Sequence, residues 1–212
     1  MHTPTQPALP AFTSRVVPVI ALHDVAQAVP LAHALLAGGI DVMETPLRPP
    51  QGLAASEAVA RAVPAMCVGA GTVTRAAEVQ QVRDAGATFA LSPGCTPAVV
   101  AAVAAARLPF VPGVMTPSEV MAARDHGFAL MKLFPAAQAG GLAMLQALGG
   151  PLADVRFCPT GGISLANLGQ FLALPNVAMV GGSWLTPADA LAAGDWDRIT
   201  RLAAEAIQAA SV

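Results

Sequence analysis

Apolar residues along this chain fall into two alternating textures. Short, nearly continuous apolar runs occupy residues 16–21, 40–44, 66–69, 88–91, 110–112, 129–133, 155–158 and 177–180. Between them lie longer stretches whose apolar positions recur at helical spacing. Residues 75–85 are one such stretch, with Ala76, Val79 and Val82 on one face and Glu78, Gln81 and Asp84 off it. The apolar runs start about every 19–26 residues, which leaves room for one strand, one helix and two short loops per repeat. Helix boundaries carry their own signals. Thr96-Pro97, Thr116-Pro117 and Thr186-Pro187 each place a capping hydroxyl before a proline suited to a first helical turn. Thr116 and Glu119 have the spacing of a capping box. Gly38, Gly86, Gly127 and Gly149 stand where helices should stop.

Eight such units predict parallel strands covered by helices, because only a strand buried on both faces reads as a continuous apolar run. Eight is also the number that closes a (β/α)8 barrel. An open doubly wound sheet is the competitor, but no GxGxxG turn follows the first strand. The expected architecture is therefore an α/β protein, a single-domain (β/α)8 TIM barrel over residues 14–212, with 1–13 as a tail or short lid.

Composition narrows the function. The chain has 212 residues, 55% hydrophobic and 11% charged, with a net charge of −2 and 4% aromatic residues. That balance excludes disorder and lacks the basic clusters and stacking aromatics of a nucleic-acid binder. The uncharged runs 85–106 and 157–188 are broken by Gly and Pro, so no membrane span is expected. Three cysteines without ligand spacing, and an N-terminus without a signal-peptide pattern, point to a reducing cytoplasm. The four histidines form no ligand set, so no metal is expected.

Barrel geometry places the chemistry at the C-terminal ends of the strands. Those positions read Glu44 to Arg48, Gly69-Ala70-Gly71-Thr72, Ser92-Pro93-Gly94, Pro112-Gly113, Lys132 to Pro135, Pro159 to Gly162 and Gly181-Gly182-Ser183. Lys132 is the only lysine; the other ten basic side chains are arginines. Alternation puts Phe128, Leu130, Lys132 and Phe134 on one face, apolar surroundings that disfavour an ammonium charge. A neutral amine is the nucleophile that forms a Schiff base with a carbonyl. Glu44, closing the second apolar run, is the candidate proton shuttle, with an ion pair to Arg48 as its structural alternative. Arg48 offers a planar fork for a carboxylate and Thr72 a hydroxyl donor. The glycine pairs Gly161-Gly162 and Gly181-Gly182, the latter followed by Ser183, come after the seventh and eighth strands. There barrels of this kind often bind phosphate through backbone N–H groups and a helix N-terminus. A phosphosugar isomerase or epimerase using Glu44 as base would need the same loops but no imine.

The segments around residues 16–20, 68–73, 92–94, 132–136, 156–164 and 181–185 together resemble the 2-keto-3-deoxy-6-phosphogluconate (KDPG) aldolase family of class I lyases. The resemblance runs from Val16 to the C-terminal helix. It implies cleavage of a phosphorylated 2-oxo acid to pyruvate and glyceraldehyde 3-phosphate, without cofactor, in the Entner–Doudoroff pathway. It implies Lys132 as the Schiff-base lysine and Glu44 as the acid/base. Arg48 and Thr72 would contact the pyruvate carboxylate, Pro93 and Phe134 would line the substrate site, and Thr160 would influence C4 stereochemistry. Gly161, Gly162, Gly181, Gly182 and Ser183 would hold the phosphate, and the family's trimer would account for the sparse surface charge. The chain departs from the family's Glu-Val-Thr-Leu-Arg-Thr segment at Pro46 and Pro49, and Ala137 stands where many members carry glutamate. A Glu-x-Pro-Leu pattern is closer to the related phosphogalactonate aldolases, which together with 4-hydroxy-2-oxoglutarate (KHG) aldolases are the alternative within this chemistry.

Overall fold

Every apolar run contributes a parallel strand, because the barrel interior covers one face and the helix layer the other. The computed structural model describes residues 6–48 and 51–211. The strands are β1 (Val16–Pro18), β2 (Val42–Pro46), β3 (Cys67–Gly71), β4 (Phe89–Leu91), β5 (Phe110–Val111), β6 (Gly113–Val114), β7 (Leu130–Leu133), β8 (Arg156–Phe157) and β9 (Val180–Gly182). β5 and β6 are one barrel strand interrupted at Pro112, which has no N–H to give to a ladder. The helices are α1 (Ala28–Ala37), α2 (Gly52–Ala62), α3 (Ala76–Asp84), α4 (Pro97–Ala106), α5 (Pro117–Asp125), α6 (Gly141–Gly149), α7 (Leu168–Leu172), α8 (Ala188–Ala193) and α9 (Trp196–Ala210).

Pairing runs β2-β3-β4-β5, then β6-β7-β8, and β1 pairs with β9. The gaps are spanned by bridges of Val19 with Glu44, Phe157 with Val177, and Thr160 with Gly181, so the sheet closes on itself as an eight-stranded barrel. The last strand starts at Val180, later than the apolar run at 177–180 predicts. The Arg15 guanidinium donates to the carbonyls of Leu172, Val177 and Ala178, and regular pairing resumes with the Val180 N–H on the Arg15 carbonyl at 2.9 Å.

Thr96 and Thr116 cap α4 and α5 as expected, and Thr116 with Glu119 forms the reciprocal capping box. Thr186 does not cap: α8 begins at Ala188 with Pro187 as its N-cap and no side-chain bond. Pro46 is the last residue of β2, and the pairing continues past it through the Leu47 N–H, which donates to the Gly71 carbonyl at 3.0 Å. Pro49 lies outside the described residues.

Residues 6–13 are neither a free tail nor a lid over the catalytic end. Leu9 and Phe12 pack against the barrel's inner apolar cluster at its N-terminal end, and Phe12 stacks on Phe89 with centroids 6.1 Å apart. Asp41 fastens the segment by accepting from the Thr13 N–H, the Thr13 hydroxyl and the Ser14 N–H. Partial burial pushes the Asp41 carboxyl up, and these bonds outweigh it and hold the group below its usual range. The Phe12→Ala variant is expected to lose about 2 kcal/mol of stability, a Tm decrease of about 4–8 °C. Its turnover at 25 °C should match wild type, because the plug is remote from the strands' C-terminal ends; thermal denaturation and steady-state kinetics read the two effects separately. Among the described residues no helix is long and apolar enough to cross a membrane.

Candidate active site

Strand alternation determines what faces the barrel axis. On β7, Leu130 joins the inner cluster, while Met131 and Leu133 join the larger core under the helices. Lys132 therefore points inward. Phe128 does not share that face as alternation predicts: it precedes the strand and packs edge-on against Phe110 in the outer core, with centroids 5.9 Å apart. On β2, Val42 belongs to the inner cluster, which puts Glu44 on the same inward side.

The two inward polar residues meet. Lys132 Nζ donates to Glu44 Oε1 at 3.0 Å and Oε2 at 3.3 Å, with Glu44 1% and Lys132 5% exposed. Lys132 Nζ also lies 5.4 Å from the centroid of the Phe134 ring. The amine is thus not left among apolar neighbours alone, as its flanking residues suggest. The Glu44 carboxylate and the Phe134 ring face are its charge-complementary neighbours. Glu44 is paired with Lys132 and not with Arg48, which is exposed at the end of β2 and makes no hydrogen bond or ion pair among the described residues.

Cys158 lies beside this pair. It is fully buried, and its sulfur is 3.8 Å from the Thr160 hydroxyl. Burial pushes its thiol up to about 11, with the Lys132 charge and the Thr160 hydroxyl pulling the other way more weakly. At neutral pH it is an uncharged neighbour and does not compete for Lys132.

A cavity of about 170 Å³ is lined by Val19, Phe134, Thr160, Gly161, Gly162, Ile163, Gly182 and Ser183; Lys132, Glu44 and Arg48 do not line it, and Phe134, whose ring centroid is 5.4 Å from Lys132 Nζ, connects it to the pair. Six of the lining residues are predicted site positions. Gly161 and Gly162 have φ of +95° and +82°, conformations that glycine adopts without a side-chain clash. Asn167 fixes their loop by donating to the Gly162 carbonyl at 3.0 Å and accepting from the Ser164 N–H at 2.8 Å. The helices that follow, α7 and α8, span five and six residues and start beyond the loops, so the cavity wall is loop backbone and not a helix end. Gly181 supports the site from behind: a Cβ there would stand 2.4 Å from the Thr160 hydroxyl oxygen. Ala137, where the family pattern often has glutamate, packs beside the loop, and a Cβ on Gly162 would meet its methyl at 2.5 Å.

Thr72 and Pro93 occupy the same end of the barrel without lining this cavity. Thr72 follows β3 with φ of +60°, a rare conformation for a β-branched residue. Pro93 abuts Gly113, where an added Cβ would be 2.2 Å from the proline carbonyl carbon. Ser92 accepts from the Gly113 N–H at 3.2 Å and donates to the Gly94 carbonyl, which ties the loop after β4 to β6. Sequence reasoning missed Val19, Ile163 and Asn167. The first two are ordinary apolar residues in apolar runs, and Asn167 acts only through the loop it holds.

The chain matches the family model "Aldolase: KDPG and KHG aldolase" over residues 11–202. It is 50% identical over 200 residues to the KHG/KDPG aldolase of Escherichia coli, covering 94% of each chain. The 2-dehydro-3-deoxy-phosphogluconate aldolase of Pseudomonas aeruginosa is 43% identical, over 92% of this chain and 89% of the relative. A KDPG aldolase from Legionella pneumophila, solved with pyruvate captured as a covalent carbinolamine, superposes with a TM-score of 0.89 at 44% identity, over 92% of this chain and 94% of that one. The Zymomonas mobilis enzyme, solved with 3-phosphoglycerate, gives 0.86 at 40% identity, over 92% and 91%. A closed (β/α)8 barrel with an inward lysine, and kinship that extends along nine-tenths of the chain, place this protein in the KDPG and KHG aldolase family.

Proposed function

We propose that this chain is a class I aldolase, a lyase that cleaves 2-dehydro-3-deoxy-6-phosphogluconate to pyruvate and glyceraldehyde 3-phosphate. The observation that carries the reading is the buried Lys132–Glu44 pair at 3.0 Å, connected through Phe134 to a cavity walled by glycine loops. The 43–50% identity to relatives named for this activity supports it.

The geometry suits a proton that moves between the two side chains. Glu44 takes a proton from the Lys132 ammonium and leaves a neutral amine, which adds to the C2 carbonyl of the 2-oxo acid. The carboxylic acid so formed returns that proton to the carbinolamine hydroxyl, and water departs to give the iminium. The Glu44 carboxylate then accepts the proton of the C4 hydroxyl. The C3–C4 bonding electrons flow into the iminium, and glyceraldehyde 3-phosphate leaves from an enamine. Glu44 delivers the proton to C3, and one water hydrolyses the pyruvate iminium, restoring the amine. The Phe134 ring face beside Nζ favours each cationic state over its neutral counterpart.

Arg48 and Thr72 bind the pyruvate carboxylate in this reading. Gly161, Gly162 and Ser183 bind the phosphate, with Gly182 lining the same cavity and Gly181 behind it. Thr160 faces the reacting C4. Gly162→Ala would require an alanine at φ +82° with its methyl 2.5 Å from that of Ala137. It is expected to raise KM for the phosphorylated substrate by 10-fold or more while changing turnover of an unphosphorylated analogue less than about 3-fold. Paired steady-state kinetics on the two substrates check this.

The test of the function is pyruvate release, coupled to lactate dehydrogenase, on both C4 epimers of the phosphorylated acid and on 4-hydroxy-2-oxoglutarate. The gluconate epimer is expected to have the highest kcat/KM. Release from the galactonate epimer alone would move the protein to the alternative substrate, and no release from any of the three would overturn the reading. The same proposal includes a homotrimer in the cytoplasm, supported by the low surface charge, exposed Met115, Met121 and Leu165, and three free thiols.

A further inference from the structure

The interior of β3 is hollow. Its outward residues Val68 and Ala70 pack under the helices, and its inward positions beyond Cys67 are Gly69 and Gly71. Neither glycine has a positive φ, so backbone conformation does not require them. Glycine inside a strand weakens it, which leaves close approach by a neighbour as the reason for its presence. The neighbours are specific. A Cβ on Gly69 would stand 2.3 Å from the ring of Phe89, and a Cβ on Gly71 would stand 2.1 Å from Glu44 Oε1 and 2.7 Å from both Cδ and Cγ.

We infer that Gly71 is a positioning residue for the aldol reaction: the volume its missing side chain vacates is the slot that seats the Glu44 carboxylate against Lys132. Register supports this. Glu44 pairs with Gly69 and Pro46 with Gly71, so the Glu44 side chain leans along the strand toward the catalytic end and over Gly71. Below it the Phe89 ring fills the space beside Gly69, so the carboxylate has no room to drop toward the floor of the barrel. Above it the chain leaves the strand at once, with Thr72 in the left-handed region. Three side-chain atoms of Glu44 would conflict with a methyl group on Gly71, so an alanine there displaces the whole side chain and not only its flexible tip.

The inference rests on the reading of Glu44 as the proton carrier, and a double-mutant cycle separates the two. Gly71→Ala is expected to lower kcat by 10-fold or more with KM changed less than about 3-fold, and to slow exchange of pyruvate methyl protons in D₂O by a similar factor. In a Glu44→Gln background, already impaired, the same substitution should change kcat by less than about 2-fold, because there is no proton transfer left to misalign. Stability supplies the second measurement. Gly71→Ala should lower Tm, and in a Glu44→Ala background, where the slot is empty, the same substitution should lower Tm much less, measured against Glu44→Ala alone. Should Gly71→Ala not fold, the triple variant Lys132→Met, Glu44→Ala, Gly71→Ala, which has neither an occupied slot nor an unpaired ammonium, is expected to fold. Full turnover in Gly71→Ala, an equal kcat loss in both backgrounds, an equal Tm loss with and without the Glu44 side chain, or a triple variant that does not fold would each overturn the inference. Full turnover in Glu44→Gln alone would instead overturn the reading of Glu44.

Discussion

Borohydride added to the protein in the presence of pyruvate is expected to fix one reduced pyruvate imine per chain, and the Lys132→Met variant is expected to fix none. The sequence makes this measurement unusually clean. Lys132 is the only lysine, so the only other amine is the chain's own N-terminus, and intact-mass spectrometry reads the site without peptide mapping. Methionine keeps a straight apolar stem of similar length, so it fills the space beside Phe134 without a large cavity. The turnover of Lys132→Met is expected to fall by about 10⁴-fold or more, the scale on which enzymes lose activity when a covalent nucleophile is removed. An isomerase or epimerase using the same barrel end would be indifferent to borohydride. A trapped adduct on Lys132→Met, or turnover within about 10-fold of wild type, would remove the imine from the mechanism.

How the site is assembled explains which parts of it could be read from the sequence. The strands were visible because a barrel strand is apolar on both faces, and the starts of α4 and α5 were visible because Thr96 and Thr116 cap them with local chemistry. Thr186 shows the limit of that rule, since the same Thr-Pro pair precedes α8 without capping it. Lys132 stood out because it is unique and sits in an apolar strand. Glu44 stood out as the carboxylate closing an apolar run, but its pairing with Lys132 did not: the hydrogen bond joins residues 88 apart, and only barrel closure brings their strands to face one another. Phe128 was misplaced because alternation extends only as far as the strand does. Leu9 and Phe12 gave no pattern at all, since they lie in an irregular segment whose role depends on the inner cluster that it reaches. The slot at Gly71 is harder still, because it is made of missing atoms and has meaning only beside the Glu44 side chain.

The Glu44→Gln variant is expected to separate chemistry from stability. An amide keeps the shape and can still accept a bond from Nζ, but it cannot take and return a proton. Turnover should therefore fall by about 10²–10⁴-fold, the range of a well-placed acid–base group. The imine should still be trapped by borohydride, more slowly, because Lys132 remains the nucleophile. Turnover within about 3-fold of wild type would take Glu44 out of the reaction. Removing the charge also leaves the ammonium, 5% exposed, without its counterion. Breaking a buried pair on one side costs up to about 3–5 kcal/mol. Neutralising both sides is different, because two charges taken from water repay their desolvation poorly. Lys132→Met combined with Glu44→Gln is accordingly expected to be inactive and yet at least as stable as Glu44→Gln alone, with thermal denaturation as the measure. A double variant less stable than either single one would mean that the pair holds the barrel together. The opposite ordering means that the fold tolerates a buried ion pair whose value lies in moving one proton between two atoms 3.0 Å apart.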